Sequence, residues 1–495
     1  MEKLGTADFE APLDFFGTTD RRVFVKGLGM IGASLLLGTL GGCDKIAEAI
    51  RNRPVRRRLR TGSAAVDADI ETYRQAVAAM KALPANDVLN WIVEANIHGT
   101  AAGFNMCEHG TDHFFDWHRA YLFYFEKICQ RLTNNSRFGL PYWNWNQNNG
   151  IHAAFLDSNS TLFSARSRTT MAGNSVVSTP TLDPIFQDGN FFTFGTQIEG
   201  TPHNNVHSWI GGILGSYQSA QDPLFWMHHC MIDYCWYKWN IELQHNNPNA
   251  AAWTNKVNGQ FVDANRNPAT SVAISTVLMP LLAYRYESSA IGSSAAVADL
   301  TSAKEYQRLE ARIRAGADIR FQVSQRTRLA ERLEASAARP VSLRSTLRAR
   351  DFAQLVESRA AQEQVFASIE YAQVPAATDF SVRVFVNLPN ATRATSSDDL
   401  HFAGSFAFFG GPPPGAAAEA EARPSTHRHQ PRFLVNLTPT IRRLRARGLL
   451  GESDPLSVQL VPTPFDPEVA APDAALQLNA LEIITTPVIV AARPE

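Results

Sequence analysis

The chain has 495 residues, with 46 Lys and Arg against 47 Asp and Glu and 45% hydrophobic residues. This length is about three times that of a typical domain, so we predict at least two domains. The composition excludes a mainly disordered protein, and the net charge of −1 gives no reason to expect nucleic acid as a partner. Five scattered cysteines are too few for a disulfide scaffold.

The sequence of the first 62 residues predicts an export signal followed by a linker. Arg21 and Arg22 stand side by side before Gly27–Gly42, sixteen residues without a charge, and this order resembles a twin-arginine export signal. A transmembrane helix is the alternative, but the apolar stretch falls short of the roughly 20 residues that span a bilayer. We therefore expect a protein exported to the bacterial periplasm, the cell envelope or the medium.

Two features follow the apolar stretch. Leu40–Cys43 resembles a bacterial lipoprotein box, in which an acylated Cys43 would tether the chain to a membrane; a Cys43 without acyl chains is the alternative. The arginines that come next predict a solvated linker, with attraction to anionic lipid headgroups as a second interpretation. They are Arg51, Arg53, Arg56, Arg57, Arg58 and Arg60.

Residues 63–287 show mainly helical patterns. Apolar residues recur at helical spacing, and Asn, Asp and Pro stand where helices begin. The predicted helices are Asp67–Leu83, a helix capped at Asn86–Asp87 that ends near Asn96, His118–Leu132, Pro202–Trp209 and Asp222 to about Leu243.

The pattern changes beyond Glu287. Residues 301–370 contain 12 Arg and no Trp, Cys or His, and predict helical and irregular pieces. We interpret residues 288–339 as a connector and residues 340–495 as a β-domain, because alternating apolar residues predict an antiparallel sandwich. Its predicted elements are strands at 380–386, 432–436, 457–461 and 476–484, and a short helix with a solvated basic face from Thr438 to Gly448.

Nine of the 13 histidines lie in two clusters: His98, His109, His113 and His118, then His203, His207, His228, His229 and His245. Neutral imidazole is a natural ligand of copper and zinc. In the second cluster, His203 and His207 lie on one helix face and can bind one ion together with His229. Asp233, one turn further, is placed to orient an imidazole.

The first cluster offers a comparable set of three. His98 ends a predicted helix, His118 begins one, and His109 lies on the loop between them. We call His98, His109 and His118 the first triplet, and His203, His207 and His229 the second triplet. The sequence therefore predicts two metal sites with three imidazoles each.

Two motifs resemble the copper-site signatures of the tyrosinases and polyphenol oxidases. The first comprises His109, Phe114–Arg119, Leu122 and Glu126, and the second comprises Asp222–His229 and Asp233. Both match without a gap and in the family order, which makes the pair specific. The resemblance covers about residues 67–287 and closes with Tyr284-Arg285-Tyr286. Further on, Phe380–Asn387 and His401–Phe406 resemble the C-terminal domain of the long forms.

The resemblance implies an α+β multidomain fold, with a mainly helical four-helix-bundle catalytic domain followed by a β-sandwich-like C-terminal domain. It implies two copper ions of the type-3 kind, held by the same two triplets. It favours His229 over His228, because the ligand is the His four residues before the Asp, and leaves His228 as a packed neighbour. The other histidines are then surface or hydrogen-bonded residues: His113, His152, His245, His401, His427 and His429.

Three further residues match family positions. Cys107 has the Cys-x-His spacing at which family members carry a thioether to the second ligand; a free buried Cys is the alternative. Glu199 resembles the family's water-holding Glu, and with Asn204 it could make a water basic enough to deprotonate a phenol. A loop Glu and a helix-cap Asn are the alternative. Cys129, Cys230 and Cys235 are predicted core residues.

The implied activity is the oxidation of monophenols and o-diphenols to o-quinones with dioxygen, so the expected partners are phenolic small molecules and dioxygen. An oxygen carrier of the haemocyanin kind is the alternative, and the export signal, Glu199 and Asn204 favour the enzyme. No oligomeric state is indicated. The C-terminal domain is a candidate shield of the active site, through Phe402, Phe406, Phe408 or Phe409. Alternation in a strand predicts that at least two of these four pack the sandwich instead.

Overall fold

The computed structural model describes residues 52–104, 106–287, 323–336, 340–348, 363–375, 377–415, 430–466, 468 and 475–487. The predicted export signal, Cys43, Arg51, His427 and His429 lie outside these residues. Within the described ranges, no helix is long and apolar enough to cross a membrane.

The described chain up to residue 287 is mainly helical. Its α-helices are α1 (Ala64–Ala82), α2 (Trp91–Ala95), α3 (Phe114–Thr133), α4 (Thr179–Phe186), α5 (Phe191–Ile198), α6 (Asn204–Ile210), α7 (Leu224–Tyr237), α8 (Ala251–Thr254) and α9 (Ala273–Leu282). Two π-helical turns lie at Glu199–His203 and Lys238–Glu242, and short 3-10 helices lie at Ala153–Phe155, Ser175–Val177, Gly212–Gly215 and Ser219–Gln221. The small strand pairs are β1 (Val55–Arg56) with β6 (Arg285–Tyr286), β2 (Gly99–Thr100) with β3 (Gly103–Phe104), and β4 (Val257–Val262) with β5 (Pro268–Val272).

The helices predicted from the sequence are confirmed for α1 and α7, whereas the cap of α2 differs from the prediction. The buried apolar residues of α1 recur every three or four residues: Val66, Ile70, Tyr73, Val77 and Met80. Helix α2 is capped by Asn90, whose Oδ1 accepts the N–H of Ile92 at 3.0 Å, and not by Asn86–Asp87. The short α2 thus ends just before His98.

Pro202 does not begin a helix, and that prediction is wrong. The chain is helical without interruption from Phe191 to Ile210, because the π turn at Glu199–His203 joins α5 to α6. A π turn widens the helix and is frequent at functional sites. Asn204 consequently lies inside a continuous helix, which disfavours a purely capping role.

The basic segment before α1 is packed on the helical domain and is not a solvated linker. Arg56 is fully buried and donates to Glu126 of α3 at 2.9 Å and to Asp233 of α7 at 3.0 Å. Arg53 is also buried, and β1 pairs in parallel with β6. The helical domain therefore begins before residue 63.

The C-terminal part is a sandwich of two sheets. Its strands are β7 (Gln325–Ser336), β8 (Val341–Arg348), β9 (Glu363–Tyr371), β10 (Phe380–Val386), β11 (Phe402–Ala407), β12 (Arg432–Asn436), β13 (Pro455–Pro464) and β14 (Ala475–Pro487), with one helix, α10 (Thr438–Ala446). The antiparallel sheets have the orders β11-β10-β13-β8 and β12-β9-β14-β7. Ile369 and Leu481 of one sheet share an apolar core with Val384 and Leu460 of the other, so the sheets pack face to face.

The prediction of a connector through residue 339 is wrong, because β7 lies in that segment. The prediction of helical and irregular structure up to residue 370 is also wrong where β8 and β9 form strands. Strand β7 pairs with β14 from Gln325 opposite Thr485 to Ser336 opposite Ala475. Both β7 and β8 are edge strands, where charged side chains are tolerated and mask the alternation. The four predicted strands and the basic helix α10 are confirmed, and the fold class is α+β, as expected.

Candidate metal centre

Six buried histidines meet between the helices of the first domain. His118 lies in the first turns of α3, His203 ends the π turn, His207 lies on α6 and His229 on α7, while His98 follows α2 and His109 precedes α3. These are the two predicted triplets, and the fold brings all six together. The helices fix four of them and loops carry the other two.

The outer nitrogens of four imidazoles are paired with oxygen acceptors. The Nδ1 pairs are His98 with Tyr217 O (3.3 Å), His118 with Phe114 O (2.7 Å), His203 with Asn204 Oδ1 (2.8 Å) and His207 with Leu214 O (2.7 Å). Because an amide oxygen only accepts, Nδ1 carries the proton and Nε2 keeps its lone pair. In the described part of the chain, Nε2 of His98, His118 and His203 has no hydrogen-bond partner.

The imidazoles are held neutral. Burial lowers the pKa of His98 and of His203 to about 3. Burial, with repulsion from neighbouring imidazoles, lowers the pKa of His118, His207 and His229 well below the ordinary value. Neutral imidazole is the form that binds a transition metal. Buried lone pairs without a partner are costly unless a cation takes them, so this donor set fits a metal.

The histidines form overlapping groups of possible metal ligands: the ligand atoms of His203, His207 and His229 lie within 4.8 Å of one another, and so do those of His98, His118 and His229 and those of His98, Cys107 and His109. Ring centroids lie 5.0 to 5.7 Å apart within the first triplet and 4.6 to 5.4 Å apart within the second. The triplets meet where the rings of His118 and His229 stack at 4.5 Å. Nε2 of His207 and Nε2 of His229 lie 3.3 Å apart.

His228 lies beside the second triplet, and its ligand-type nitrogens fall within 4.8 Å of those of the other three. Its Nδ1 accepts the indole N–H of Trp145 at 3.2 Å. The neutral ring then carries its proton on Nε2 and offers no lone pair to an ion. This contact supports the interpretation of His228 as a packed neighbour.

The loop with His109 is held on two sides. The Sγ atom of Cys107 lies 3.2 Å from Nδ1 of His109, which is contact distance without a covalent bond. The next residue, Gly110, donates its N–H to Oε1 of Glu199 at 2.7 Å. The loop ligand is therefore placed by a thiol and by the π turn.

Asp233 does not orient an imidazole, and that prediction is wrong. Its carboxylate accepts hydrogen bonds from Arg56, Arg119, Tyr284 and Tyr286. Burial alone would raise the pKa of Asp233. The guanidinium groups of Arg119 and Arg56 nevertheless hold this pKa below its usual range. The carboxylate ties α7 to α3 and to the last strand of the helical domain.

The remaining described histidines are hydrogen-bonded, as expected. The ring nitrogens of three of them face oxygen acceptors: His113 Nδ1 faces Asp116 (3.2 Å), His245 Nε2 faces Phe186 O (3.1 Å) and His401 Nδ1 faces Val386 O (2.7 Å). Nδ1 of His152 instead accepts the N–H of Ala154 at 3.3 Å. Cys129, Cys230 and Cys235 are fully buried, which confirms them as core residues.

Glu199 and Asn204 line one small cavity next to the triplets, together with His109 and Phe409. Its volume is about 40 Å³, which exceeds the ~10–15 Å³ that one water needs and is far below the ~150 Å³ of a cavity that holds benzene. Burial raises the pKa of Glu199 to about 8, although the N–H of Gly110 lowers it.

The end of β11 closes the site. The ring centroid of Phe409 lies 5.3 Å from that of His203, 5.5 Å from that of His109 and 6.4 Å from that of His98. One ring of the β-domain therefore covers both triplets. Phe406 and Phe408 belong to the sandwich core, which confirms that two of the four phenylalanines pack there.

Three polar side chains hold β11 on the helix that carries His203 and His207. Their hydrogen bonds run from Thr201 to Ser405 O (3.1 Å), from Asn204 to Ala407 O (3.0 Å) and from Ser208 to Phe408 O (2.5 Å). We call these bonds the interdomain ladder. The spacing of three and four residues puts the donors on one helix face. Sequence reasoning missed Thr201 and Ser208, because only this polar spacing marks them.

Tyr217 was also missed, since it acts through its main chain. Its carbonyl oxygen faces His98, while its N–H donates to the carbonyl of Gly411 in the β-domain at 3.1 Å. A Cβ atom at Gly99 would lie 2.0 Å from the same carbonyl oxygen, so only glycine fits there. Tyr217 thereby links the first triplet to the β-domain.

Comparisons with known proteins agree with this geometry. Residues 78–190 and 158–242 match the family model of the common central domain of tyrosinase. A chloroplastic (+)-larreatricin hydroxylase of Larrea tridentata is 30% identical over 268 residues, 43% of this chain and 46% of that protein. A tyrosinase of Hahella sp. is 28% identical over 284 residues, 44% of this chain and 61% of that protein. The chain thus spans about half the length of these relatives.

Solved structures extend the likeness to both domains. A latent apple tyrosinase has a TM-score of 0.60 at 19% identity, covering 88% of this chain and 97% of that one. A functional unit of octopus haemocyanin has a TM-score of 0.52 at 16% identity, covering 88% and 100%. Residues 78–242 therefore contain a central domain of the tyrosinase type, and the relatives of this chain include tyrosinases and polyphenol oxidases. The solved structures, at under 25% identity, show that the helical domain and the C-terminal β-domain share the fold of the latent apple tyrosinase.

Proposed function

We propose that this chain is a copper oxidase that converts monophenols and o-diphenols to o-quinones with dioxygen. The observation that carries the proposal is the cluster of six buried histidines, in which Nε2 of His98, His118 and His203 has no hydrogen-bond partner among the described residues and the ligand nitrogens of His203, His207 and His229 lie within 4.8 Å of one another. The match to the central domain of tyrosinase supports the same activity, because relatives of this chain bear the names tyrosinase and polyphenol oxidase.

Two copper ions fit this donor set, one on each triplet. Three imidazoles leave open positions on each ion, and the bound copper pair would supply the activation of dioxygen. The chain itself fixes the tautomers through the outer acceptors and excludes water by burial. Ordering six imidazoles before metal arrives reduces the cost of binding.

The substrate ring would take the position that Phe409 now holds. That position is bounded by imidazole faces and edges, which suit a flat aromatic ring. Glu199 and Asn204 lie beside it, where a carboxylate with a raised pKa is a stronger base for a phenol proton. We infer that Glu199, acting through a water, accepts this proton and that Asn204 positions the water.

The β-domain would keep the enzyme latent, because Phe409 leaves no room for a ring in the cavity. Cleavage in the Arg-rich residues 301–370 and release of the β-domain would open the site. The latent apple tyrosinase of similar fold supports this interpretation.

An oxygen carrier is the second candidate, and the likeness to octopus haemocyanin favours it. The two functions differ in the need for a phenol base next to the metals. Glu199 and Asn204, both beside the cavity, support the enzyme.

The test is metal analysis followed by quinone formation from a monophenol and a catechol, before and after limited trypsin digestion. We expect about two copper ions per chain, low activity before cleavage and turnover of both substrates afterwards. One ion per chain, or zinc that copper cannot displace, would contradict the metal assignment. Reversible oxygen binding without quinone would favour the carrier.

Glu199→Gln separates the two activities. We expect monophenol hydroxylation to fall about 100-fold and catechol oxidation to change little, since a catechol loses its proton more easily. Glu242→Gln, at an exposed carboxyl of the same domain, is the control. An equal loss of both activities would assign Glu199 a structural role.

A further inference from the structure

A second, larger cavity lies at the seam between the two domains. Its volume is about 360 Å³. Asn174 and Trp209 of the helical domain line it together with Arg383, Arg393 and Phe465 of the β-domain. No histidine of either triplet lines it, so it is separate from the metal centre.

Two arginines give the lining of this cavity a positive charge. Arg383 and Arg393 line it, and no acidic side chain among the described residues does so. Arg383 is half-buried, and its hydrogen bond among the described residues is Nη1 to the carbonyl of Thr395 at 2.8 Å. Burial lowers the pKa of Arg383, and no carboxylate offsets that effect. A guanidinium in this setting gains from an anion.

Three of the side chains that line the cavity are aromatic. Trp209 and Phe465 meet edge to face, with ring centroids 5.2 Å apart, and Phe402 lies on the same cavity. The guanidinium of Arg168 lies 4.6 Å from the centre of the Trp209 ring, which adds a third positive charge next to this aromatic pair. Aromatic faces and edges hold a flat ring in a fixed orientation.

We propose that this seam cavity binds a small aromatic carboxylate, with its carboxylate on Arg383 and Arg393 and its ring against Trp209, Phe402 and Phe465. Two guanidinium groups suit the two oxygens of a carboxylate. The volume exceeds the ~150 Å³ of a cavity that holds benzene, so a ring with an acid side chain fits. Because the ligand touches both domains, it binds the docked arrangement and stabilises it.

The test is calorimetric titration of the full chain with cinnamate, with equal metal content in every variant. We expect wild type to bind cinnamate and to bind acetate and inorganic phosphate at least tenfold more weakly, since these lack a ring. Arg383→Gln and Arg393→Gln should each weaken cinnamate binding about tenfold, the loss of one charged hydrogen bond. Arg447→Gln, at an exposed arginine beyond α10, should bind like wild type.

Three results would overturn the proposal: no binding of cinnamate by wild type, unchanged binding in the Arg383→Gln, Arg393→Gln double variant, or phosphate binding as tight as cinnamate. Thermal unfolding controls for misfolding. Arg383→Gln loses the hydrogen bond to the carbonyl of Thr395 but also removes a half-buried charge without a carboxylate partner, so its melting temperature should change little. The outcome does not depend on oxidase activity, so failure of either proposal leaves the other testable.

Discussion

The ring of Phe409 lies nearly parallel to the imidazole of His207, with centroids 4.0 Å apart and planes at 20°. Phe408, its neighbour, points the other way and packs in the sandwich. The chain leaves the strand geometry of β11 after Ala407, and this departure frees Phe409 to enter the metal centre. One side chain of the β-domain thus lies against the histidines of the metal centre.

Phe409→Ala should therefore activate the uncleaved chain. Removal of the ring leaves room for a phenol against His207, so we expect catechol oxidation by the full chain to rise at least about tenfold. Steady-state rates before and after trypsin measure this effect. Phe385→Ala, which removes a buried ring that packs on Phe402 and contacts no histidine of either triplet, should remain latent. Unchanged activity of a folded, copper-loaded Phe409→Ala protein would show that Phe409 does not block the site.

The interdomain ladder should set how tightly the β-domain docks. Ser208→Ala with Thr201→Val removes two hydrogen bonds, each contributing about 1 kcal/mol. We expect latent activity to rise several-fold and trypsin to release the β-domain faster. Ser271→Ala breaks a comparable buried bond inside the helical domain and should change neither. Equal proteolysis of the ladder variant and wild type would mean that apolar contacts alone hold the domains.

The metal ligands could be predicted from the sequence because they lie in short motifs. His203 and His207 are four residues apart, so a helix places them on one face. Such a local relationship can be recognised within one turn of sequence. The role of Asp233 could not be predicted in this way. Its partner Arg56 lies 177 residues away, and only the tertiary fold brings the two together.

The position of β7 and β8 at the edges of their sheets explains why the sequence did not predict them as strands. Strands β7 and β8 each pair with one neighbour, so their charged side chains remain in solvent and blur the alternation. The π turn at Glu199–His203 was missed because a proline in the first turn of a helix is the commoner arrangement. In both cases packing overrides the local pattern.

Glu94 should make the stability of the chain depend on pH. Its carboxyl is buried, and its two oxygens have no hydrogen-bond partner among the described residues. Burial raises the pKa of Glu94 from 4.5 to about 8. Between these values the folded chain keeps a proton that the unfolded chain releases, so stability is present below pH 4.5 and is lost as the pH rises to 8.

Glu94→Gln should remove this loss, which is on the order of a few kcal/mol. Denaturant unfolding at pH 5 and pH 8 measures it: the free energy of unfolding of the variant should fall less than that of wild type. Glu71→Gln, at an exposed carboxyl, should behave like wild type. Parallel pH dependences of wild type and Glu94→Gln would show that this carboxyl is solvated.

Cys107 should form a thioether to His109 when copper and air are present. The Sγ atom already lies 3.2 Å from the ring nitrogen of the loop ligand, and no helix fixes that loop. The bond replaces one S–H and one ring C–H, so two protons and two electrons leave and dioxygen is the oxidant. The peptide that joins Cys107 to His109 should then be lighter by two hydrogens in mass spectrometry. After denaturation, alkylation should label Cys129, Cys230 and Cys235 but spare Cys107, whereas protein made without copper should be labelled at Cys107 too. Full alkylation of Cys107 in the copper-loaded protein would show that the thiol stays free.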